Sequence, residues 1–166
     1  MGTEKREGRK PGAGGSEMLI DTLLSDPDPA ARRDAALALG VTRGDPSVQA
    51  LARALHDPVK EVRAAASAAL AVTGQPAIDA LVRALAEQDW VVRYRAAEAL
   101  GSIRDERSVS ALIRALGDRR DHVRYMAAKS LGRLGGRGAR GPLSAALTDE
   151  NEFVRRAARE ALAALG

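Results

Sequence analysis

Apolar residues recur along this chain every three or four positions, the spacing that places them on one face of an α-helix. The clearest examples are Val48-Leu51-Leu55, Ile78-Leu81-Leu85 and Val109-Leu112-Leu116. Between them lies a second kind of helical segment, which is rich in alanine and is typified by DWVVRYRAAEALG at 89–101. The pattern therefore predicts alternating helices and no strand.

The alanine-rich segment occurs five times. Its other copies are AARRDAALALG at 30–40, EVRAAASAALA at 61–71, HVRYMAAKSLG at 122–132 and FVRRAAREALA at 153–163. Its arginine recurs with spacings of 31, 30, 31 and 31 residues, at Arg32, Arg63, Arg93, Arg124 and Arg155. A fixed period in this range is typical of stacked helical repeats, because one hairpin cannot bury its apolar face alone. We predict an all-α solenoid of five helical hairpins.

Each hairpin is expected to contain a leucine-rich first helix and an alanine-rich second helix. The first helices are predicted near 17–25, 46–56, 76–86, 107–117 and 141–148. The second helices are predicted near 29–40, 59–72, 89–102, 120–134 and 151–165. The repeats, 16–44, 45–74, 75–105, 106–138 and 139–166, form one domain. Gly40, Gly101 and Gly132 follow the last apolar residue of a second helix, where a left-handed C-cap favours glycine.

The N-terminal segment differs from the rest of the chain. Residues 1–15 contain five glycines and only two apolar side chains, so they bury too little surface to offset the cost of ordering. We expect them to be a disordered basic tail. The whole chain has no cysteine, no 18-residue apolar run and no secretory signal. These features predict a cytoplasmic protein without disulfides, thiolate metal sites or a membrane span.

The signature V-R-x-x-A-A-x-A-L-G resembles the HEAT-like repeat of the phycobilisome-lyase type, and the resemblance covers residues 16–166. It implies a right-handed α-solenoid whose first helices lie on the convex side and whose second helices line the concave side. The family includes bilin lyase subunits, parts of larger enzymes and many interaction modules. The resemblance therefore defines the architecture and leaves the function open.

An acidic residue lies six positions before each signature arginine, in the turn between the two helices. These acids are Asp26, Asp57, Glu87, Asp118 and Asp149. In HEAT-like repeats such residues form a structural ladder, in which each arginine bonds acids or carbonyls of its own and adjacent repeats. The planar guanidinium suits this role because it makes several charge-assisted hydrogen bonds at once. An anion-binding groove is the alternative, but it would leave the acids without a role.

The aromatic residues all lie on second helices and outside the repeated core positions: Trp90, Tyr94, Tyr125 and Phe153. A spacing of four places Trp90 and Tyr94 on one helix face. We expect these rings to form a recognition surface on repeats 3–5. Its expected margin is Arg95, His122 and Met126. The alternative is that the rings fill irregular gaps between repeats.

The sequence offers little for catalysis or metal binding. His56 and His122 are the only histidines, and neither belongs to a recognisable triad or metal motif. The repeated His-Glu motifs of HEAT-like deoxyhypusine hydroxylases are absent. Residues 136–141 spell G-x-G-x-x-G, but no predicted strand precedes them, so we interpret them as a loop between repeats. We expect a non-enzymatic protein without metal or cofactor.

Three hypotheses for function follow from these observations. The first is an adaptor that holds a protein or peptide partner against the concave surface. The second is nucleic-acid binding, since the net charge is +4, although acids interrupt the basic residues of the second helices. The third is a subunit resembling a bilin lyase. In addition, the last helix ends in the apolar ALAALG, which predicts self-association through an uncovered end.

Overall fold

The computed structural model describes residues 13–42 and 44–166, apart from the side chains of Ala13 and Arg137. Within those residues it contains ten α-helices and no strand. The helices are α1 (Ala13–Ser25), α2 (Pro29–Leu39), α3 (Asp45–Ala54), α4 (Lys60–Thr73), α5 (Ile78–Ala84), α6 (Trp90–Ile103), α7 (Val109–Ala115), α8 (Asp121–Leu134), α9 (Arg140–Ala145) and α10 (Glu152–Ala164). The prediction of an all-α repeat solenoid is confirmed.

The ten helices correspond to the ten that the sequence predicts, with differences at their ends. Three first helices, α5, α7 and α9, are short because 3-10 turns precede them, at Gln75–Ala77, Glu106–Ser108 and Arg137–Ala139. The first helix starts earlier than expected, at Ala13, so residues 13–15 are helical; residues 1–12 of the predicted tail lie outside the described residues. Asp28, Asp89 and Asn151 begin second helices by accepting the backbone N–H two residues ahead.

The second helices stack on one another through small residues. α2, α4, α6, α8 and α10 pack in that order, and they contact one another more extensively than the first helices do. We name the side of the stack formed by the second helices the inner face, which the resemblance to HEAT-like repeats implies to be the concave side. Leu39, Leu70, Leu100 and Leu131 are fully buried between them, beside the alanines of the signature.

The glycines near the ends of the second helices do not have the predicted left-handed conformation. Gly40 has φ −58°, and Gly101 and Gly132 lie inside α6 and α8, which continue beyond them. A methyl group on Gly132 would lie 2.8 Å from Cα of Ala161 in the next second helix. The close approach of neighbouring helices therefore requires these glycines. Positive φ angles occur instead at Gly74, Arg104 and Gly135.

Arginine–aspartate pairs cross three of the four junctions between adjacent repeats. Arg93 donates from Nε and Nη2 to the two carboxylate oxygens of Asp118, at 2.6 and 2.8 Å, and from Nη1 to the carbonyl oxygens of Glu87 and Gln88. We name one such pair a rung and the series the ladder. The other bidentate rungs are Arg32–Asp57 and Arg124–Asp149. At the two ends, Asp26 accepts the backbone N–H of Asp28, and Arg155 donates to the carbonyls of Asp149 and Glu150.

The ladder is interrupted between repeats 2 and 3. Arg63 bonds two carbonyls of its own repeat, but its buried Nε has no hydrogen-bond partner among the described residues. The acid of repeat 3 is Glu87, whose carboxylate forms no hydrogen bond within the part of the chain that the structure describes. This junction also has a repeat spacing of 30 residues, and Ala71 stands where repeats 1, 3 and 4 have glycine. Repeats 2 and 3 are therefore joined without a rung.

The rungs stabilise the charged form of their carboxylates. The hydrogen bond from Arg124 holds the pKa of Asp149 below its ordinary value. Burial alone would raise the pKa of Asp118, but the hydrogen bonds from Arg93 and from the backbone of Arg120 outweigh it and lower this pKa. The aspartates of the ladder therefore contribute to stability in their ionised form.

Replacing Arg93 with alanine should lower the free energy of unfolding by about 1–3 kcal/mol, because Asp118 then loses its partner while it stays largely buried. Arg63→Ala is the matched control, since it removes the same side chain where no rung exists, and it should cost less. Equilibrium unfolding in urea, followed by circular dichroism, measures both variants. Equal losses would show that the rung adds nothing to the packing of the arginine.

Shortening Glu87 to aspartate should stabilise the protein. An aspartate at this position can accept the backbone N–H two residues ahead and the Nε of Arg63, as Asp57 does with Val59 and Arg32. We expect a gain of about 1 kcal/mol in the urea experiment. Asp118→Glu is the reciprocal control and should lower stability. A Glu87→Asp variant less stable than the wild type would contradict the requirement for the shorter acid.

The lowered aspartate pKa values predict sensitivity to acid. A carboxylate whose pKa is lower in the folded than in the unfolded chain contributes stability above the unfolded value, about 3.9, and loses it as the pH falls through the folded value. The urea midpoint should therefore change little between about pH 7 and 5 and fall below about pH 4. Asp118→Asn lacks one titrating group and should show a smaller fall. If the urea midpoint fell equally in both proteins, the carboxylate of Asp118 would not contribute to the loss of stability in acid.

Candidate functional site

The residues predicted for the recognition surface differ in exposure. His122 and Phe153 are exposed, with 64% of the His122 side chain and 52% of Phe153 accessible to solvent. Trp90, Tyr94 and Tyr125 are half-buried, and each packs one side against the core. These three rings thus fill gaps between repeats and also present part of their surface on the second helices.

Met126 does not belong to this surface. It is 4% exposed and packs in the hydrophobic core, so the expectation that it borders a binding site is wrong. Its spacing of four from His122 suggested a shared exposed face. The comparison between repeats is more informative, because Met126 lies two positions after its signature arginine, where Ala65 and Ala157 are also buried in their repeats.

Arg95 is bound within the stack. Its Nη1 donates to Glu98 at 2.7 Å, and the hydroxyl of Ser67 in the preceding second helix lies within hydrogen-bond distance of both the Arg95 carbonyl and the Glu98 carboxylate. Burial, with the charge of Glu98 nearby, raises the pKa of Tyr94. The hydrogen bonds from Ser67 to Arg95 and Glu98 connect α4 and α6 at the junction that lacks a rung. Arg95 therefore has a stacking role in addition to its place beside the surface.

The rings of repeats 3 and 4 meet across the boundary between the repeats. The ring centroids of Trp90 and His122 are 5.1 Å apart, with the planes tilted by 48°. Both the backbone N–H and Nδ1 of His122 lie 2.8 Å from Oδ1 of Asp121, and Asn151 donates to Oδ2 of Asp121 at 2.6 Å. The hydrogen bond from His122 lowers the pKa of Asp121. Asp121 therefore positions His122 and connects repeats 4 and 5.

An open cavity of about 290 Å³ lies between α8 and α10 on the inner face. Its lining is Asp121, His122, Tyr125, Asn151, Phe153 and Arg156. We name it the aromatic groove. The structure thus brings together three of the predicted surface residues, and it places Trp90 at the edge through its contact with His122. A cavity of this size accommodates a few side chains of a bound segment.

A cation of the chain lies over each aromatic ring. The pairs are Arg95 over Tyr94, Arg120 over Trp90, Lys129 over Tyr125 and Arg156 over Phe153, at 5.6, 5.9, 5.8 and 5.4 Å from the ring centroids. The quadrupole of an aromatic ring attracts a cation placed over its face. The groove therefore presents positive charge directly beside its apolar surface.

The net charge of +4 is distributed unevenly along the repeats. Residues 106–166 carry 12 arginines and lysines against 7 aspartates and glutamates, a net charge of +5. Residues 16–105 carry 10 against 13, a net charge of −3. The aromatic groove lies in the positive part of the solenoid, and a count of charge by repeat would have indicated this from the sequence.

Other candidate features give no site. Within 13–42 and 44–166, no helix is long and apolar enough to cross a membrane, and no three His, Cys, Asp or Glu side chains are grouped to hold a metal ion. The G-x-G-x-x-G segment at 136–141 follows helix α8 and contains a 3-10 turn. It therefore lacks the strand that a dinucleotide-binding motif requires.

Substitutions at Met126 and Phe153 should separate the core from the surface. Met126→Ala should lower the free energy of unfolding by about 2–5 kcal/mol, because it leaves a cavity in a packed interior. Phe153→Ala should change it by only about 0.5 kcal/mol, as is usual for exposed positions. Urea unfolding of the two variants, compared with the wild type, provides the measurement. A larger loss of unfolding free energy for Phe153→Ala than for Met126→Ala would contradict the assignment of Met126 to the core and Phe153 to the surface.

The comparisons with known proteins agree with the repeat architecture. The CpcE–CpcF complex of phycocyanin lyase from Nostoc sp. PCC7120 contains a similar chain, with 26% identity and a TM-score of 0.67 over 99% of this chain and 70% of that one. Human deoxyhypusine hydroxylase in complex with glycerol aligns at 21% identity and a TM-score of 0.56, over 92% and 74% of the two chains. A designed armadillo repeat protein in complex with the peptide (KR)4 aligns at 21% identity and 0.57, over 92% and 82%. The last two show the fold alone.

Sequence comparison defines the family. No curated protein matches the chain significantly. A family model described as HEAT repeats matches residues 16–101 and 78–163. Since these overlapping ranges cover nearly all of the solenoid, the chain belongs to the HEAT-repeat family, with repeats of the HEAT-like phycobilisome-lyase type.

Proposed function

We propose that this protein is a non-enzymatic scaffold that binds a segment of a partner protein on the inner face of repeats 3–5. The observation that supports this proposal is the aromatic groove, where Phe153 and His122 remain exposed although most apolar side chains of the second helices are buried. Aromatic and arginine side chains are enriched in protein interfaces. Tyr125 and Arg156 provide both kinds of contact within the same cavity.

The lining of the groove also favours binding over catalysis. Its described residues include no serine, threonine or cysteine to act as a nucleophile. His122 is held by Asp121, a pair that also occurs in catalytic sites, but here it packs on Trp90, and no serine, threonine or cysteine adjoins it among the described lining residues. The pair therefore fits a positioned recognition residue better than a general base.

A second candidate function is a subunit that acts together with a partner subunit on a chromophore protein. The likeness to a chain of the CpcE–CpcF complex favours it, because that likeness extends over 99% of this chain. The absorbance spectrum of a bilin mixed with an apo-phycobiliprotein, with and without this protein, tests the idea. An unchanged spectrum would contradict it.

Nucleic-acid binding and self-association have less support. Acidic residues interrupt the basic inner face, among them Glu98, Glu152 and Glu160. For self-association, Arg159 on α10 is exposed at the position where Ala36, Ala97 and Ala128 are buried by the next repeat. A large charged side chain at this position opposes the addition of another helix to the stack.

Truncation of the exposed groove residues should weaken partner binding without affecting stability. Phe153→Ala and His122→Ala should each reduce the affinity by about 2 kcal/mol if they act as anchors. Arg114→Ala is the control, because Arg114 is exposed on the first helix α7, outside the inner face.

Affinity capture from the source cell, quantified by mass spectrometry, compares the three variants with the wild type. The proposal predicts a protein that the wild type and Arg114→Ala retain and that both groove variants lose. Identical sets of captured proteins for all four baits would contradict it.

A further inference from the structure

The cations over the aromatic rings limit the chemistry of the partner. A ring face that already carries a guanidinium or ammonium group of the same chain is not open to a second cation. A basic segment entering the groove would therefore meet Lys129 and Arg156 over Tyr125 and Phe153. Like charges brought together in this way oppose binding.

Of the three cations beside the groove rings, Arg156 alone has an acidic partner among the described residues. Asp121 lines the groove, but its two carboxylate oxygens already bond His122 and Asn151. Two further acids lie on α10, Glu152 and Glu160, and Glu160 forms an exposed ion pair with Arg156 at 3.8 Å. Among the residues that the structure describes, the side chains of Lys129 and Arg120 form no ion pair.

The net charge of the repeats around the groove also favours an acidic partner. The groove belongs to residues 106–166, whose net charge is +5, whereas residues 16–105 have a net charge of −3. A local excess of one sign raises the association rate of oppositely charged partners and fixes their orientation. An acidic segment is therefore attracted to this end of the solenoid in preference to the other.

We propose that the aromatic groove binds an acidic peptide segment of a partner protein, in which carboxylates alternate with apolar side chains. The carboxylates pair with Lys129, Arg156 and Arg120, and an apolar side chain enters between Tyr125 and Phe153. This inference rests on the proposed scaffold function and adds the chemistry of the partner to it.

A random peptide library displayed on phage tests the proposal when it is selected against the whole chain and counter-selected against Phe153→Ala. The expected result is a set of groove-dependent peptides enriched in Asp and Glu beside apolar residues. The best of them, made synthetically, should bind the wild type in fluorescence anisotropy with an affinity that falls as salt rises. Lys129→Glu and Arg156→Glu should weaken binding at least about tenfold, and the matched control Arg114→Glu less than about twofold.

The possible outcomes separate this inference from the function on which it rests. Groove-dependent peptides that are neutral or basic would overturn the proposal that the partner segment is acidic, and they would leave the scaffold function intact. Peptides that bind Phe153→Ala as well as the wild type, or no enrichment at all, would overturn both. If a short DNA duplex bound through Lys129 and Arg156, the groove would be a nucleic-acid site. If Phe153→Ala dissociated a dimer of the protein, the groove would bind a second copy of this chain. Either result would overturn the proposal of a peptide partner.

Discussion

Each rung of the ladder sets the position of one repeat relative to the next. The guanidinium of Arg93 binds carbonyls of its own repeat and the carboxylate of Asp118 in the following one, so a single rigid group defines the distance between them. Apolar packing of alanine and leucine provides much of the stability but is less directional. The rungs add the geometric specificity, and the glycines let neighbouring second helices approach closely.

The same bonds continue into the candidate site. Asp149 accepts the fork of Arg124 and also the backbone N–H of Asn151. Asn151 in turn begins α10 by accepting the N–H of Phe153, and it donates to Asp121 in the groove. The rung between repeats 4 and 5 therefore positions the residues that line the groove. This chain of hydrogen bonds links the fold to the candidate site, because a shift of one repeat would also move the residues that line the groove.

The sequence predicted the architecture because a fixed period repeats one local pattern five times, and errors in one copy are corrected by the others. It was less informative where the environment of a single residue decides its role. Gly132 looked like a helix cap, but the approach of Ala161 explains it. Met126 looked exposed from its spacing but is buried in the core, and Glu87 accepts no hydrogen bond from Arg63 among the described residues. Contacts between repeats determine all three, and a pattern within one helix does not contain them.

Hydrogen exchange of the backbone amides tests the central claim that the rungs hold the repeats in register. Local openings exchange at free energies set by the contacts that they break. Because Arg63 has no carboxylate partner, the second helices should show a step in protection between α4 and α6, with repeats 3–5 opening separately from repeats 1–2. Glu87→Asp should reduce the step. Uniform protection from α2 to α10, or a step unchanged in the variant, would contradict the account.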